Sequence, residues 1–423
     1  MGKLVKLVTI AALFVSVNFT GSAQQERNPK PADLVVHEWG TFTSVSNVSG
    51  ASFEWRTLTG SDLPDFVYSI DKPDYKHQTR DSAFEKSQSS KSAIQSYQRM
   101  ETPVTYFYTD REMDAEVSVS FPKGLFTEWY PHVRTYSPDN TKSKTNGLLR
   151  WGKIKLLPET KELAKLIPNG KDQKNHYYHA RETDSALVRV CNTGELGTDK
   201  VNEYEKFLFY RGVSDFEVPL KVKLLENNQI EIQNKSKEEI KHIFRVNMAK
   251  DESKFEFTCM LKSLEVEQKG HHVYKGTKSE MVDKLSDEME KCLIMEGLYK
   301  KEAKAMVKSW RDSWFEEDGT RVFYILPQKT TDAVLPITIN PKPKEIVRVM
   351  VGRIECITPE QEKQMKSLIN SYSTTSCSRS RASILVKIQE VGRFADPIIR
   401  SIKSNGSTEE VKKNCDKILE LID

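Results

Sequence analysis

The sequence predicts an α+β protein in which a β-rich antiparallel sheet or sandwich precedes a helical hairpin, further strands and a small helical C-terminus. Short runs that alternate between apolar and polar residues recur from residue 101 to residue 260, which is typical of strands with one buried face. After residue 276 the apolar residues recur at helical spacing. Helical segments do not alternate with the early strands, so a parallel α/β architecture is disfavoured.

The first 23 residues have the pattern of a secretory signal peptide, and their short, simple form is typical of bacteria. A basic start at Lys3 and Lys6 precedes an apolar run over residues 7–19, and the small residues Gly21-Ser22-Ala23 follow. The run is too short to span about 30 Å of hydrocarbon comfortably, so cleavage near Ala23 is favoured over an uncleaved anchor. We therefore expect a periplasmic or secreted mature protein without a transmembrane helix.

The composition is that of a soluble protein with ordinary cores. The 64 basic and 60 acidic residues give a net charge of +4, and 38% of the residues are hydrophobic. Because neither sign of charge dominates, nucleic acid is not an expected partner. None of the six cysteines forms a CxxC motif, and Cys292 and Cys415 lie on apolar faces of predicted helices. We expect these two thiols to be buried, and the spacing specifies no disulfide pairing.

The predicted β-rich domain covers residues 24–275. Its first strand spans residues 34–43 and contains a glycine turn at Gly40, whereas residues 82–96, rich in Ser, Gln and Lys, are predicted to form a surface loop or weak helix. Alternation or a high density of β-forming residues predicts the remaining strands. These strands are 104–108, 115–121, 186–190, 206–210, 218–225, 229–236, 243–247 and 256–259.

The next predicted unit, residues 276–372, is a helical hairpin with returning strands packed on the β-rich domain. Thr277 and Glu280 have the spacing of a capping box, and the helix that they begin continues to Gly297. A second helix follows after a short loop, so the two helices are expected to be antiparallel. Strands are predicted at 321–326, 335–339 and 345–354, and another helix begins at Thr358-Pro359.

The last predicted unit, residues 373–423, is a small helical end after a Ser- and Thr-rich linker at 371–381. Apolar stripes predict three short helices in this unit. The run 392–400 resembles the turn and second helix of a HEAT-like repeat. A single such unit cannot bury its own apolar face, so it must dock on the rest of the protein or on a partner.

Four stretches together resemble a family of exported bacterial proteins known only as uncharacterised, with VHEWGTFTS and METPVxYFY motifs. The resemblance covers most of the mature chain. It implies export and specifies no activity. The stretches are 36–44, 100–108, 178–184 with 207–213, and 310–317.

A metal site is one candidate for chemistry. The possible ligands are His37, His132, His176 and His179, and Glu38 or Glu182 would then act as general base on a metal-bound water. The spacing is not that of His-Glu-x-x-His on a helix, so surface histidines and a core-edge histidine remain the alternative. Metal-free acid–base chemistry by Glu182 is also open.

A binding face is the other candidate. Sugar rings stack on aromatic side chains while neighbouring polar groups read the hydroxyls. Trp39, Trp129, Tyr130 and Arg181 are the predicted ligand-binding residues, and the alternative for the tryptophans is a place in the core.

Two functions follow from these candidates. The first is a binding or scaffold protein of the cell envelope, whose partner is an envelope protein or a glycan. The second is a metal-assisted, hydrolase-like enzyme with a divalent metal ion. Convergence of the histidines and glutamates in one pocket would favour the enzyme.

Overall fold

The fold is seen in a computed structural model. The model describes residues 34–58, 63–70, 94–138, 143–172, 174–193, 200–225, 230–248, 256–260, 277–404 and 408–422. The predicted signal peptide and most of the predicted loop at 82–96 lie outside these residues. Within the described part of the chain, no helix is long and apolar enough to cross a membrane.

Strands and helices are both abundant, so the predicted α+β class is confirmed. The strands are β1 Val35–Ser46, β2 Trp55–Arg56, β3 Tyr68–Ser69, β4 Gln95–Ser96, β5 Gln98–Tyr108, β6 Met113–Phe121, β7 Gly124–Tyr130, β8 Thr135–Ser137, β9 Gly147–Leu157, β10 Leu187–Thr193, β11 Lys200–Glu205, β12 Leu208–Ser214, β13 Leu220–Leu224, β14 Ile230–Asn234, β15 Ile243–Met248, β16 Glu256–Met260, β17 Gly319–Leu326, β18 Ile337–Asn340 and β19 Glu345–Cys356. The helices are α1 Lys161–Ala164, α2 Lys278–Met295, α3 Lys300–Arg311, α4 Gln328–Val334, α5 Pro359–Thr374, α6 Ser378–Gln389, α7 Ala395–Ser404 and α8 Glu409–Leu421. Single 3-10 or π turns lie at His176–Arg181, Asp312–Glu316 and Gly392–Phe394.

The strands form two large sheets. The larger has nine strands in the order β16-β15-β17-β19-β1-β5-β12-β7-β3, and the second has the path β11-β10-β9-β6-β18 with β8 beside β9. Pairing is antiparallel except between β1 and β19, which run parallel at the centre of the larger sheet. The returning strands β17 and β19 are therefore members of that sheet.

Both faces of the larger sheet are covered, because all twelve residues of β1 are buried. Alternate side chains of a strand point to opposite faces. Val36 and Phe42 belong to the apolar core shared with the second sheet, whereas Val35 and Trp39 belong to the core shared with α2 and α3.

The hairpin of α2 and α3 forms as predicted. The Thr277 side chain accepts a hydrogen bond from the Glu280 backbone, and the Glu280 carboxylate accepts one from the Thr277 backbone. Gly297 ends the first helix at φ +108, a left-handed conformation that favours glycine. The thiol of Cys292 is buried in this hairpin, as expected.

Helices α5 to α8 form the C-terminal unit, which docks on one end of the larger sheet. Their apolar side chains share a core with Val45, Trp55 and Ile357, and the buried Cys415 lies in the same core. The predicted linker at 371–381 is mostly helical, since α5 extends to Thr374 and α6 begins at Ser378. Hydroxyls of the late α5 residues bond to carbonyls one turn earlier, so Ser and Thr do not interrupt the helix.

Candidate functional site

His37 is a buried structural partner of Glu302. Its Nδ1 lies 2.8 Å from the Glu302 Oε2 atom, and the ring lies 4.3 Å from the Tyr299 ring, centroid to centroid. The Tyr108 hydroxyl donates to the other carboxylate oxygen at 2.7 Å, and the Tyr299 backbone donates at 2.7 Å. These contacts connect β1 with the start of α3 and leave the imidazole enclosed by protein.

Glu38 faces the opposite side of β1 from His37, so the two side chains cannot bind one ion together. Arg348 donates from Nε to Glu38 at 2.7 Å, and its Nη2 lies 2.6 Å from the same oxygen. The hydroxyls of Thr105 and Tyr210 donate to the other oxygen. Burial acts to lower the pKa of Arg348, but Glu38, Tyr210 and Asp332 together outweigh burial and raise it above its ordinary value. The carboxylate of Glu38 is thus committed to a buried ion pair.

His176 and His179 lie one turn apart on the 3-10 helix. The His176 ring packs 5.4 Å from Trp310, whereas His179 Nδ1 lies 3.4 Å from the Glu182 carboxylate. Lys308 bonds to the same carboxylate at 2.6 Å. Burial acts to raise the pKa of Glu182, yet the contacts with Lys308 and His179 hold it below its ordinary value. This carboxyl is therefore ionised and largely exposed.

The candidate metal ligands do not come together in the described residues. Within them, no group of three His, Cys, Asp or Glu side chains is placed to hold a metal ion. Each of the four histidines His37, His132, His176 and His179 has a different environment. The metal-site hypothesis gains no support from this geometry.

Both predicted ligand-binding tryptophans lie in the core. Trp39 is buried in the core that the larger sheet shares with α2 and α3, and Trp129 is buried on the opposite face of that sheet. The Trp129 ring stacks on Tyr136 at 4.8 Å between centroids. The structure therefore supports the alternative given for these two tryptophans, a place in the core.

Tyr130, His132 and Arg181, in contrast, are brought together around two glutamates of β11. The place is the junction between β3, at the edge of the larger sheet, and β11, at the edge of the second sheet. We call this group the Glu203 cluster; its members are Phe66, Tyr68, Tyr130, His132, Tyr177, Tyr178, Arg181, Glu203 and Glu205.

Arg181 is fixed within the Glu203 cluster by Glu205. Its Nη2 and Nε donate to the Glu205 carboxylate at 2.6 and 3.0 Å, and the Tyr177 hydroxyl donates to the same carboxylate at 3.0 Å. The guanidinium carbon also lies 4.8 Å from the centre of the Tyr178 ring. Burial acts to lower the pKa of Arg181, but Glu205, Tyr177 and Tyr178 together outweigh burial and raise it. Arg181 is consequently a charged, preorganised side chain.

Glu203 has a different environment from Glu205. It accepts hydrogen bonds from the Tyr68 hydroxyl and from the His132 backbone N–H, each at 2.6 Å. In the part of the chain that the structure describes, no basic side chain forms an ion pair with it. Burial raises the pKa of Glu203 above its ordinary value, and the two donors only partly offset this effect. A half-buried carboxyl with a raised pKa is a frequent property of functional sites.

The rings of the Glu203 cluster form an aromatic wall beside this carboxyl. Tyr68 and Tyr130 are stacked with 6.4 Å between centroids, and Phe66 meets Tyr130 edge to face at 4.9 Å. Phe66, Tyr68 and Tyr178 are only partly buried, so part of the wall faces solvent. The cluster therefore combines exposed ring surface with a carboxylate and a fixed cation.

Sequence reasoning missed Glu203, Glu205 and Tyr68. The predicted strand 206–210 extends across the connection between β11 and β12, so the two glutamates fell just before it. Their spacing of two residues places both on one face of a strand, and this was the available signal. Tyr68 lies in a two-residue strand, which is too short to give a period.

A second charged group lies on the larger sheet, around Glu101. The Thr43 hydroxyl donates to Glu101 at 2.8 Å, and Arg99 Nε lies 3.1 Å from the carboxylate. Burial acts to raise the pKa of Glu101, but Arg99, Arg353 and Arg211 together lower it. Each charge in this group has an opposite charge near it, so the group is a network of paired charges within the sheet.

Comparison with known proteins gives no relatives for this chain. No family model matches it, and neither the curated proteins nor the solved structures give a significant match. The resemblance to exported bacterial proteins accordingly remains an expectation from the sequence.

Proposed function

We propose that the chain is an exported cell-envelope protein that binds a glycan at the Glu203 cluster. The observation that supports this most is the combination of partly exposed aromatic rings with Glu203 and the fixed Arg181 at one place on the surface. The leader pattern of residues 1–23 supports the envelope location.

The chemistry of the Glu203 cluster suits a sugar. Apolar faces of sugar rings pack on aromatic rings, and a few convergent polar groups then select hydroxyl positions. Arg181 is held by Glu205, so little conformational entropy would be lost when a ligand contacts it. Two of the predicted ligand-binding residues, Tyr130 and Arg181, belong to this cluster.

Titration calorimetry with soluble envelope-type oligosaccharides tests the proposal on the chain from residue 24 onward. The variant Tyr68→Leu removes a ring of the wall and is expected to weaken binding at least about tenfold, which corresponds to about 1.4 kcal/mol. Tyr97→Leu is the matched control, because Tyr97 is 37% exposed and lies outside the cluster. Equal affinities of Tyr68→Leu and the wild type, or no binding of any oligosaccharide, would contradict the proposal.

Export is tested separately by fractionating cells that express the whole chain. We expect a periplasmic or secreted species that lacks residues 1–23, identified by N-terminal mass spectrometry. Recovery of the unprocessed chain in the cytosolic fraction would contradict this part of the proposal. The metal-assisted hydrolase is not proposed, since no observation on the described residues favours it over binding.

A further inference from the structure

We infer that the ligand at the Glu203 cluster carries a positively charged amino group, which forms an ion pair with the Glu203 carboxylate. The inference rests on the proposed glycan binding and specifies the class of glycan: one with free amino groups. Three observations support it, namely the partners of Glu203, the aromatic wall and the state of Arg181.

The partners of Glu203 differ from those of three fully buried carboxylates, Glu38, Glu205 and Glu302. Glu38, Glu205 and Glu302 each have a basic side chain within 3 Å. Glu203 instead receives two neutral donors, the Tyr68 hydroxyl and the His132 backbone N–H. Partly burying a carboxylate without a cation costs free energy, and a bound ammonium group would recover that cost.

The aromatic wall favours the same type of ligand. Ring faces carry negative potential, and an ammonium group within about 6 Å of a ring centre is attracted to it. Tyr68 contributes its hydroxyl to Glu203 and its ring to the wall, where it stacks on Tyr130. A cation bound to the carboxylate would therefore lie next to aromatic surface.

Arg181 is the guanidinium of the Glu203 cluster, and its positive charge would be expected to repel a cation. Its charge is compensated, because the guanidinium makes bonds of 2.6 to 3.2 Å to Glu205. The cluster contains two carboxyl groups, Glu203 and Glu205, and one guanidinium, and only Glu205 is paired with that guanidinium. An anionic sugar is disfavoured by this balance, and a cationic one is favoured.

Three β-1,4-linked tetramers with one backbone test the inference by calorimetry at mildly acidic pH. They are the glucosamine tetramer, its N-acetylated form and the glucose tetramer, which differ only in the group at carbon 2 of each sugar. We expect the glucosamine tetramer to bind at least about tenfold more tightly than the other two. Tetramethylammonium chloride is a fourth probe, for a cation without a sugar.

The variant Glu203→Gln keeps the shape of the side chain and removes its charge. We expect it to abolish the preference for the amino tetramer, whereas Glu116→Gln, at an exposed position of β6, retains the preference. Because folding raises the pKa of Glu203, the free energy of unfolding decreases as pH rises from the ordinary carboxyl pKa to the raised one. Glu203→Gln should therefore fold normally, with a melting temperature at or above that of the wild type at neutral pH.

The outcomes separate the two proposals. Equal binding of all three tetramers, lost in Tyr68→Leu, would overturn the ammonium inference and support glycan binding. A preference for the amino tetramer that survives in Glu203→Gln would also overturn the inference. Tetramethylammonium binding that needs Glu203, without binding of any tetramer, would support the ion pair and contradict glycan binding. Failure of all four probes to bind would overturn both.

Discussion

The buried ion pair between Glu38 and Arg348 allows a sharp test of how the central strands are held together. Both side chains are fully buried, with 0% of each exposed. Arg348 has a second carboxylate partner, Asp332, whose side chain is 51% exposed and lies 2.9 Å from Nη1. One guanidinium therefore has one buried and one exposed partner, which provides a matched pair of substitutions, Glu38→Gln and Asp332→Asn.

The two substitutions should differ strongly in their effect on the free energy of unfolding. Removing one partner of a buried pair leaves an uncompensated charge and costs about 3–5 kcal/mol. We expect Glu38→Gln to cost about 3 kcal/mol, because Asp332 still offsets part of the Arg348 charge. Asp332→Asn should cost at most about 1 kcal/mol, since exposed ion pairs contribute little.

Urea denaturation at neutral pH measures both effects, and equal slopes against urea concentration would show that the unfolded states are comparable. Salt provides a second measurement: it should weaken the Asp332 contribution, which faces solvent, more than the Glu38 contribution. If Glu38→Gln and Asp332→Asn lower the free energy of unfolding by amounts that agree within about 1 kcal/mol, burial of Glu38 does not decide the strength of the Glu38–Arg348 pair.

Two further predictions concern a hydroxyl and a histidine. Thr43→Val removes a donor to Glu101 and should lower the free energy of unfolding by about 1.5–3 kcal/mol. Thr41→Val changes a buried hydroxyl that has no partner within the described part of the chain, so it should be neutral or stabilise by about 1 kcal/mol. Equal losses of unfolding free energy in urea denaturation would contradict this. The hydrogen bond to His242 lowers the pKa of Glu296 against opposing burial, so Glu296 contributes stability above the ordinary carboxyl pKa and loses it as pH falls through the lowered one. Glu296→Gln should cost about 1 kcal/mol at neutral pH and less at strongly acidic pH, and a cost independent of pH would contradict the reasoning.

Much of the fold could be predicted from local patterns. The capping box at Thr277 and Glu280 correctly located the start of α2, and strict alternation at 115–121 located β6, which spans Met113–Phe121. These signals are contained in neighbouring residues and depend little on the rest of the chain. Strand β9, in contrast, was missed, because Gly152 lies at φ +71 where the register with β6 shifts, and this irregularity interrupts the alternation.

The candidate site depended on contacts that the sequence does not display. His37 and Glu38 are neighbours in the chain, but a strand directs them to opposite faces, where His37 contacts Glu302 and Glu38 contacts Arg348. Tyr130 and Arg181 were both predicted as ligand-binding residues on residue type alone, and they lie in one cluster. The spacing of Glu203 and Glu205 indicated a shared strand face, but their contacts with Tyr68 and Arg181 depend on two sheet edges that meet in the fold.

The parallel pairing of β1 with β19 has a consequence for the order of events during biosynthesis. Glu38 and Arg348, which join these strands, are 310 residues apart. A ribosome must synthesise most of the chain before the middle of the larger sheet can close, and distant pairings of this kind slow folding. Under the export proposed above, the polypeptide would still be unfolded while it crosses the membrane, and the middle of the larger sheet would form only after β19 has crossed.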